Sequence, residues 1–160
     1  MKNQKSRNQK GFTILELLVV VAVIGILVAI GLPKLLAART AAVEQAGAAV
    51  TRSAVTAINI FSTKYNAFPT TFAALGGANC KTAGNVPSAT ASCLMDDTIV
   101  TTGISGQYTV TYAPNGGLWT LNADPNAGSP ANRHFFADSD LSIRYADGAP
   151  ATSGSTLLGQ

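Results

Sequence analysis

Hydrophobic positions change their spacing at Pro33. Residues 12–32 form an apolar run of 21 residues that contains one charge, Glu16. After Pro33 the apolar positions recur every three or four residues, as they do on one face of an amphipathic helix. This stripe consists of Val43, Ala46, Val50, Ala54, Ala57, Ile58, Phe61 and Tyr65. The pattern predicts an apolar helix that continues directly into an amphipathic one.

Together the two patterns predict a single helix over residues 12–65, which Asn66 and Pro69 bring to an end. At 1.5 Å per residue, such a helix would be about 80 Å long. A chain of 160 residues cannot bury a rod of this length in its own core. Since about 20 apolar residues cross a bilayer as a helix, we expect the apolar half to lie in a membrane or inside an assembly.

The middle of the predicted helix has three weak positions. Pro33 lacks a backbone N–H and clashes with the preceding turn, and Gly25 and Gly31 are poor helix formers. These three residues weaken the middle of the helix, and a helix break is expected at them. A simple kink at Pro33 is the plainer alternative.

From residue 67 onward the pattern changes to short strand-like runs separated by turn residues. Asn115-Gly116 is a strong hairpin signal, and Asp138–Asp140 separates a second pair of runs. The fold class predicted is α+β, a long N-terminal helix with an antiparallel sheet of about four strands. The expected strands are residues 107–113, 118–122, 133–137 and 141–145.

Charge is sparse and unevenly placed. Charged residues make up 12% of the chain, against about 25% in soluble proteins. Lys2, Lys5, Arg7 and Lys10 precede Gly11 without any acid among them, and the rest of the chain has seven basic and eight acidic residues. Basic residues beside an apolar segment are typical of a cytoplasmic flank. No basic surface for nucleic-acid binding is indicated.

Glu16 is anomalous in an apolar segment. A charge well inside a membrane costs about 2.5–3.5 kcal/mol on insertion scales, and no Lys or Arg lies within the run to pair with it. Glu16 could snorkel to the headgroups. Alternatively, cleavage between Gly11 and Phe12 would create an α-amine four residues before Glu16. A secretory signal peptide would instead have a shorter apolar core followed by a small-x-small site.

The N-terminal segment is similar to a known class of signal. Residues 10–20 read Lys-Gly-Phe-Thr-Ile-Leu-Glu-Leu-Leu-Val-Val, which resembles the class III signal of type IV prepilins and type II secretion pseudoprepilins. The leader is short and basic and ends in Gly11, Phe12 follows, and Glu16 stands four residues further on. Pro33 falls where these proteins have a helix-bending proline.

The resemblance implies a processing and assembly mechanism. A prepilin peptidase would cut after Gly11 and N-methylate Phe12, and inner-membrane assembly machinery would polymerise the mature chain into a helical filament of identical subunits. In that filament, Glu16 of one subunit would neutralise the Phe12 amine of a neighbour. The resemblance also implies a pilin fold, with the sheet on the apolar face of residues 43–65, and local unwinding over residues 25–33.

These expectations give a domain organisation and a location. Residues 1–11 form a cleaved leader, 12–33 the transmembrane and filament-core half of the helix, 34–66 its amphipathic half, and 67–160 a globular head. The precursor is expected in the bacterial inner membrane, in contact with lipid, with a single span and a cytoplasmic N terminus. The assembled filament is expected to be extracellular.

Cys80 and Cys93 are the two cysteines of the chain. An even count in an exported chain favours a disulfide, and closing this loop is worth about 3 kcal/mol in the chain-entropy model. Two free thiols are the alternative, because spacing proves no bond. A zinc site needs about four ligands, which two cysteines and the distant His134 do not supply.

The head shows no arrangement of nucleophile and base, so no enzyme activity and no cofactor is predicted. His134 has no partner at motif spacing and is interpreted as a strand residue. Asp138 and Asp140 suggest either a calcium site or ordinary turn chemistry, and turn chemistry is favoured; no metal is predicted.

The leading hypothesis is a structural subunit, the major pilin of a type IV pilus. The alternatives are a type II secretion pseudopilin or a minor pilin, which share the N-terminal signal, and more remotely a membrane-anchored enzyme or binding protein. Motility, adhesion, DNA uptake and secretion all use such filaments, and the sequence does not choose among them.

Overall fold

The structure, a computed structural model, describes residues 11–77, 80 and 86–159. Residues 1–10, which carry the basic part of the expected leader, lie outside the described residues. Contacts divide the chain into an N-terminal unit, residues 1–38, and a C-terminal unit, residues 39–160. Helix α1 supplies residues to both units.

Helix α1 spans Ile14–Tyr65, 52 residues, which confirms the long helix predicted from periodicity. It remains helical through Gly25, Gly31 and Pro33. The unwinding expected near these residues concerns the assembled filament and stays a prediction. Asn66, with φ of 54°, ends the helix in the left-handed conformation that Gly and Asn adopt most readily.

The buried face of α1 in the C-terminal unit differs slightly from the predicted stripe. Ala46 is exposed, and Gly47 and Ala48 are buried in its place. A Cβ atom on Gly47 would lie 2.5 Å from Cζ of Tyr108, so the helix can approach the sheet this closely only because Gly47 has no side chain. Gly47 therefore lies on the buried face because Tyr108 leaves no room there for a larger residue.

The C-terminal unit contains a six-stranded antiparallel sheet in which each strand pairs with the next along the chain. The four longer strands confirm the predicted sheet, and the two edge strands have two residues each. A 3₁₀ helix (Phe72–Leu75) and a short helix α2 (Asp97–Thr102) precede the sheet. The strands are β1 (Ile104–Ser105), β2 (Tyr108–Asn115), β3 (Leu118–Pro125), β4 (Arg133–Asp138), β5 (Ile143–Asp147) and β6 (Thr156–Leu157).

The first predicted hairpin is present with a shifted turn. Asn115 pairs with Leu118, so the two loop residues are Gly116 and Gly117. Both have positive φ, 53° and 92°, as the two-residue hairpin turn of type I′ requires. Asn115 is the last residue of β2 rather than a central turn residue.

The core of the C-terminal unit lies between α1 and one face of the sheet. Ile58 on the helix and Trp119, Leu121 and Phe135 on the strands are almost completely buried. Tyr108 is buried beside them, and its hydroxyl donates to the carbonyl of Arg133 at 2.7 Å. Burial, with a further contribution from Glu44, raises the pKa of Tyr108 to about 12. The helix and the sheet thus share one core.

A disulfide joins Cys80 to Cys93, as predicted, with Cα atoms 5.5 Å apart. The chain on the Cys93 side is also held by backbone hydrogen bonds. The N–H of Cys93 donates to the carbonyl of Gly76 at 3.2 Å, and the N–H of Leu94 donates to that of Leu75 at 2.7 Å. The disulfide therefore joins Cys80 to a segment that hydrogen bonds hold at the end of the 3₁₀ helix.

Candidate functional site

Thr13 and Glu16 cap the N terminus of α1 reciprocally. The N–H of Glu16 donates to Oγ1 of Thr13 at 3.2 Å, and the N–H of Thr13 donates to Oε2 of Glu16 at 3.3 Å. The Thr13 hydroxyl also lies 3.4 Å from the same carboxylate oxygen. This is a capping box, in which two backbone N–H groups that have no partner within the helix are satisfied by side chains.

The capping box gives Glu16 hydrogen-bond donors within its own subunit, in addition to the charged partner that the sequence predicts after processing. Its carboxylate accepts hydrogen bonds from its own subunit, and it lies in the first turn of α1, where the helix dipole favours negative charge. The role of Thr13 was missed, although the signal was present in the sequence. Thr-x-x-Glu before an apolar run is the known signature of a helix N terminus.

The expected cleavage site lies outside the helix. Gly11, Phe12 and Thr13 are exposed and precede α1, which begins at Ile14. The side chain of Phe12 is 86% exposed. The bond between Gly11 and Phe12 is therefore accessible in the isolated chain.

The N-terminal unit exposes large apolar side chains in every direction. From Phe12 to Leu36 the exposed fraction of these side chains ranges from 51% to 87%. By length and composition this part of α1 could cross a membrane. Gly25 and Gly31 have open space where a Cβ atom would be. A continuous apolar surface of this kind marks a site for lipid or for other protein.

His134 lies on β4, which confirms its interpretation as a strand residue, and it has a partner that motif spacing did not indicate. Its Nδ1 lies 2.6 Å from Oδ1 of Asp124 on the neighbouring strand. Ala123 of β3 pairs with Phe135 of β4. Because the two strands are antiparallel, His134 lies beside Asp124. The contact links two strands of the sheet, and we assign it no catalytic role.

Asp138 and Asp140 lie in the turn between β4 and β5. Oδ1 of Asp138 accepts from the N–H of Asp140 at 3.1 Å, and the Asp138 carbonyl accepts from the N–H of Leu141 at 2.9 Å. These bonds are the turn chemistry that the sequence favoured. Within the described residues, no group of three or more His, Cys, Asp or Glu side chains is placed to hold a metal ion.

A sequence family and a known pilus protein both match this chain. Residues 6–32 match the family described as the prokaryotic N-terminal methylation motif. The chain is 35% identical over 127 residues to the type IV wide pilus major component PilA4 of Thermus thermophilus, an alignment that covers 78% of this chain and 96% of the relative. The chain belongs to the type IV pilin family. No solved structure matches this pilin significantly.

Membership of the family explains the two units of the pilin. Its apolar N-terminal helix fits a precursor anchored in a membrane and a subunit that later enters a pilus. Its α+β fold, a long helix with an antiparallel sheet, agrees with the pilin fold expected from the sequence. Pilins as a family are structural proteins that assemble into pilus filaments after N-terminal processing.

Proposed function

We propose that this pilin is the major structural subunit of a type IV pilus and that it polymerises through residues 12–36. The observation that carries the proposal is the apolar surface of the N-terminal unit, exposed on all sides directly after an accessible, non-helical processing site. The relative PilA4 is a major pilus component and aligns over 96% of its length, which supports major rather than minor status.

Processing would remove residues 1–11 and leave Phe12 as the first residue. A prepilin peptidase would cut the exposed Gly11–Phe12 bond and methylate the new amine of Phe12. The methylation-motif match across residues 6–32 supports this site. The start of the helix at Ile14 supports it as well, because the bond that must be cut is not enclosed in helical hydrogen bonds.

Glu16 would pair with the Phe12 amine of a neighbouring subunit. Of the two carboxylate oxygens, Oε2 accepts both bonds from Thr13, and Oε1 has no hydrogen-bond donor among the described residues. The free oxygen can therefore accept from an ammonium group while the cap persists. A buried charge is tolerated when it is paired, and such a pair can fix the register of otherwise uniform apolar helices.

The precursor would lie in the inner membrane with a single span and with its basic leader on the cytoplasmic side. Lipid would cover residues 12–36 until the assembly machinery transfers the mature chain to the filament outside the cell. The position of Lys2, Lys5, Arg7 and Lys10 immediately before the apolar segment supports this orientation.

Mass spectrometry of filaments sheared from the cell surface tests the proposal. The expected result is an abundant chain that begins with N-methylated Phe12. Trace amounts of the same chain would indicate a minor pilin or a secretion pseudopilin. Abundant membrane-bound chain with no filament at all would overturn the proposal and revive a membrane-anchored binding protein.

A further inference from the structure

The apolar segment of α1 has a charged residue near each end. Glu16 lies in its first turn, and Lys34 directly follows Pro33. The residues between them, 17–33, include no charged side chain. Lys34 is exposed, and within the described part of the chain it forms no ion pair. At the end of a segment covered by lipid, its ammonium group needs either water or an anionic partner outside the subunit.

The distance between these two charges is close to the thickness of a bilayer. Eighteen positions separate Glu16 from Lys34, and α1 is helical throughout this range. At 1.5 Å per residue, their Cα atoms are about 27 Å apart along the helix axis, and the hydrocarbon core of a bilayer is about 30 Å thick. Both residues belong to the N-terminal unit. The helix can therefore place both charges near the boundaries of the hydrocarbon, but only at one depth.

The two side chains differ in how far they reach toward the headgroups. In an α-helix the Cα–Cβ bonds tilt toward the N terminus. The Glu16 side chain follows this direction, since its Oε2 accepts from the N–H of Thr13 at 3.3 Å. The same tilt starts the Lys34 side chain toward the hydrocarbon, away from the headgroups at its own end of the segment. Lys34 therefore has to stay level with those headgroups, whereas Glu16 can extend toward its own.

Lys34 interrupts an apolar surface that continues beyond it. Leu35 and Leu36 are 65% and 55% exposed, and the next charged residue is Arg39. Without a charge at position 34, the hydrocarbon would accept about one more helical turn at this end. The helix would then slide toward the cytoplasm and carry Glu16 out of the hydrocarbon, where its charge is costly. Lys34 opposes this shift.

We propose that Lys34 is a positioning residue, which binds the phosphates of lipid headgroups at the outer boundary of the inner membrane and fixes the depth of α1. The inference rests on the proposed function, because it concerns the precursor in its membrane. With Lys34 held at that boundary, Glu16 stays at the edge of the hydrocarbon and the Gly11–Phe12 bond lies in the opposite headgroup layer. The depth of the processing site is thus set from the other end of the apolar segment.

Cysteine labelling in inverted membrane vesicles tests this depth. The full chain is expressed without prepilin peptidase, and the buffer contains no reductant, so that the Cys80–Cys93 disulfide stays closed. A membrane-impermeant maleimide added from the cytoplasmic side should react rapidly with Ile14→Cys and slowly with Leu18→Cys, which lies about one turn deeper. In the Lys34→Leu chain, the Leu18→Cys rate should rise several-fold. Lys34→Arg is the matched control and should keep the slow rate.

Moving the lysine tests its position without changing the charge of the chain. Lys34→Leu/Ala38→Lys shifts the charge by four positions, about 6 Å along the helix. Leu18→Cys should then react as rapidly as Ile14→Cys does in the parent. A Leu18→Cys rate that is independent of the lysine would overturn the inference. Release of the parent chain from the membrane by alkaline carbonate would instead contradict the proposed membrane span, and the inference with it.

Lipid composition tests the partner of Lys34. The purified full chain is reconstituted in vesicles of phosphatidylglycerol or of an uncharged glycolipid with the same acyl chains, with and without inorganic phosphate. Leu18→Cys should react more slowly in phosphatidylglycerol, and Lys34→Leu should abolish the difference. Equal rates in the two lipids would contradict phosphate binding. Slow labelling in glycolipid vesicles that requires added inorganic phosphate would identify a free anion, and would overturn the assignment to a headgroup.

Discussion

The carboxylate of Glu16 has one role within its own subunit and a second, proposed role in the filament. Within its own subunit, Oε2 caps the first turn of α1 through Thr13, a type of interaction worth about 1 kcal/mol. In the proposed filament, the same carboxylate neutralises an amine that exists only after cleavage. The sequence identified Glu16 as exceptional because a lone charge in an apolar run is conspicuous. Thr13 is an ordinary polar residue, and its role in the capping box was recognised only from the hydrogen-bond geometry.

We predict that Thr13→Ala is cleaved normally but assembles less well than the parent. Loss of the Thr13 hydroxyl leaves the backbone N–H of residue 13 as the remaining donor to the Glu16 carboxylate and weakens the first turn by about 1 kcal/mol. The ratio of precursor to mature chain on an immunoblot and the mass of sheared filament measure the two steps. Thr13→Ser retains the hydroxyl and should restore assembly, and equal filament yields from the alanine and parent chains would exclude a positioning role.

The variants Glu16→Val and Glu16→Gln distinguish the role of the Glu16 charge from its role in the capping box. Both variants should enter the membrane, and valine should assemble poorly because it supplies neither function. Glutamine can still complete a capping box but cannot neutralise an amine, so it should also assemble poorly if pairing matters. Filament counts by electron microscopy measure the outcome. Normal counts from the glutamine variant would show that the cap alone is needed.

At the scale of the element, length and periodicity decide what could be predicted. Helix α1 and strands β2 to β5 have patterns long enough to be recognised, and the structure contains all of them. Strands β1 and β6 have two residues each and carry no pattern. The contact between His134 and Asp124 depends on the register of β3 and β4, which no spacing along the chain encodes. The burial of Gly47 in place of Ala46 and the close approach of Tyr108 to Gly47 likewise appear only in the folded chain.

We predict that Gly47→Ala lowers the stability of the C-terminal unit. The new methyl group would lie 2.5 Å from Cζ and 2.6 Å from Cε2 of Tyr108, and overpacking of this kind typically costs about 1–3 kcal/mol. Thermal unfolding of the mature chain in detergent, followed by circular dichroism, should show a melting temperature several degrees lower. Gly25→Ala makes the same change in the same helix with open space around it, and its melting temperature should not fall. A Gly47→Ala chain as stable as the parent would mean that helix and sheet adjust freely at this point.

At the scale of the molecule, two units with opposite surface chemistry occur in one chain. The C-terminal unit has its own core and a disulfide, whereas the large apolar side chains of the N-terminal unit are exposed. The change in the spacing of hydrophobic residues at Pro33 already indicated this division in the sequence. The sequence could not show which side chains of the C-terminal unit are exposed, because exposure is a property of the folded chain.

We predict that Gly11→Leu leaves the whole molecule in the membrane as uncleaved precursor. A bulky residue at the site would obstruct the peptidase, and without cleavage no α-amine forms at Phe12. Fractionation followed by mass spectrometry should find the full-length chain in the membrane and none in sheared filaments. Gly25→Ala again provides a control outside the cleavage site. An unchanged mature mass for Gly11→Leu would place the cleavage elsewhere.

The uninterrupted apolar surface of the N-terminal unit has a consequence for the energetics of growth. Hydrocarbon tails are about as apolar as leucine side chains, so the transfer of residues 12–36 from lipid to a filament core, as proposed above, would be a partition between two similar solvents. Its free-energy change is therefore small in either direction. In the proposed filament, the equilibrium between membrane-bound and polymerised subunits would then depend on polar contacts such as the pairing of Glu16 with the Phe12 amine. Modest changes in those contacts should be enough to make the filament lengthen or return its subunits to the membrane.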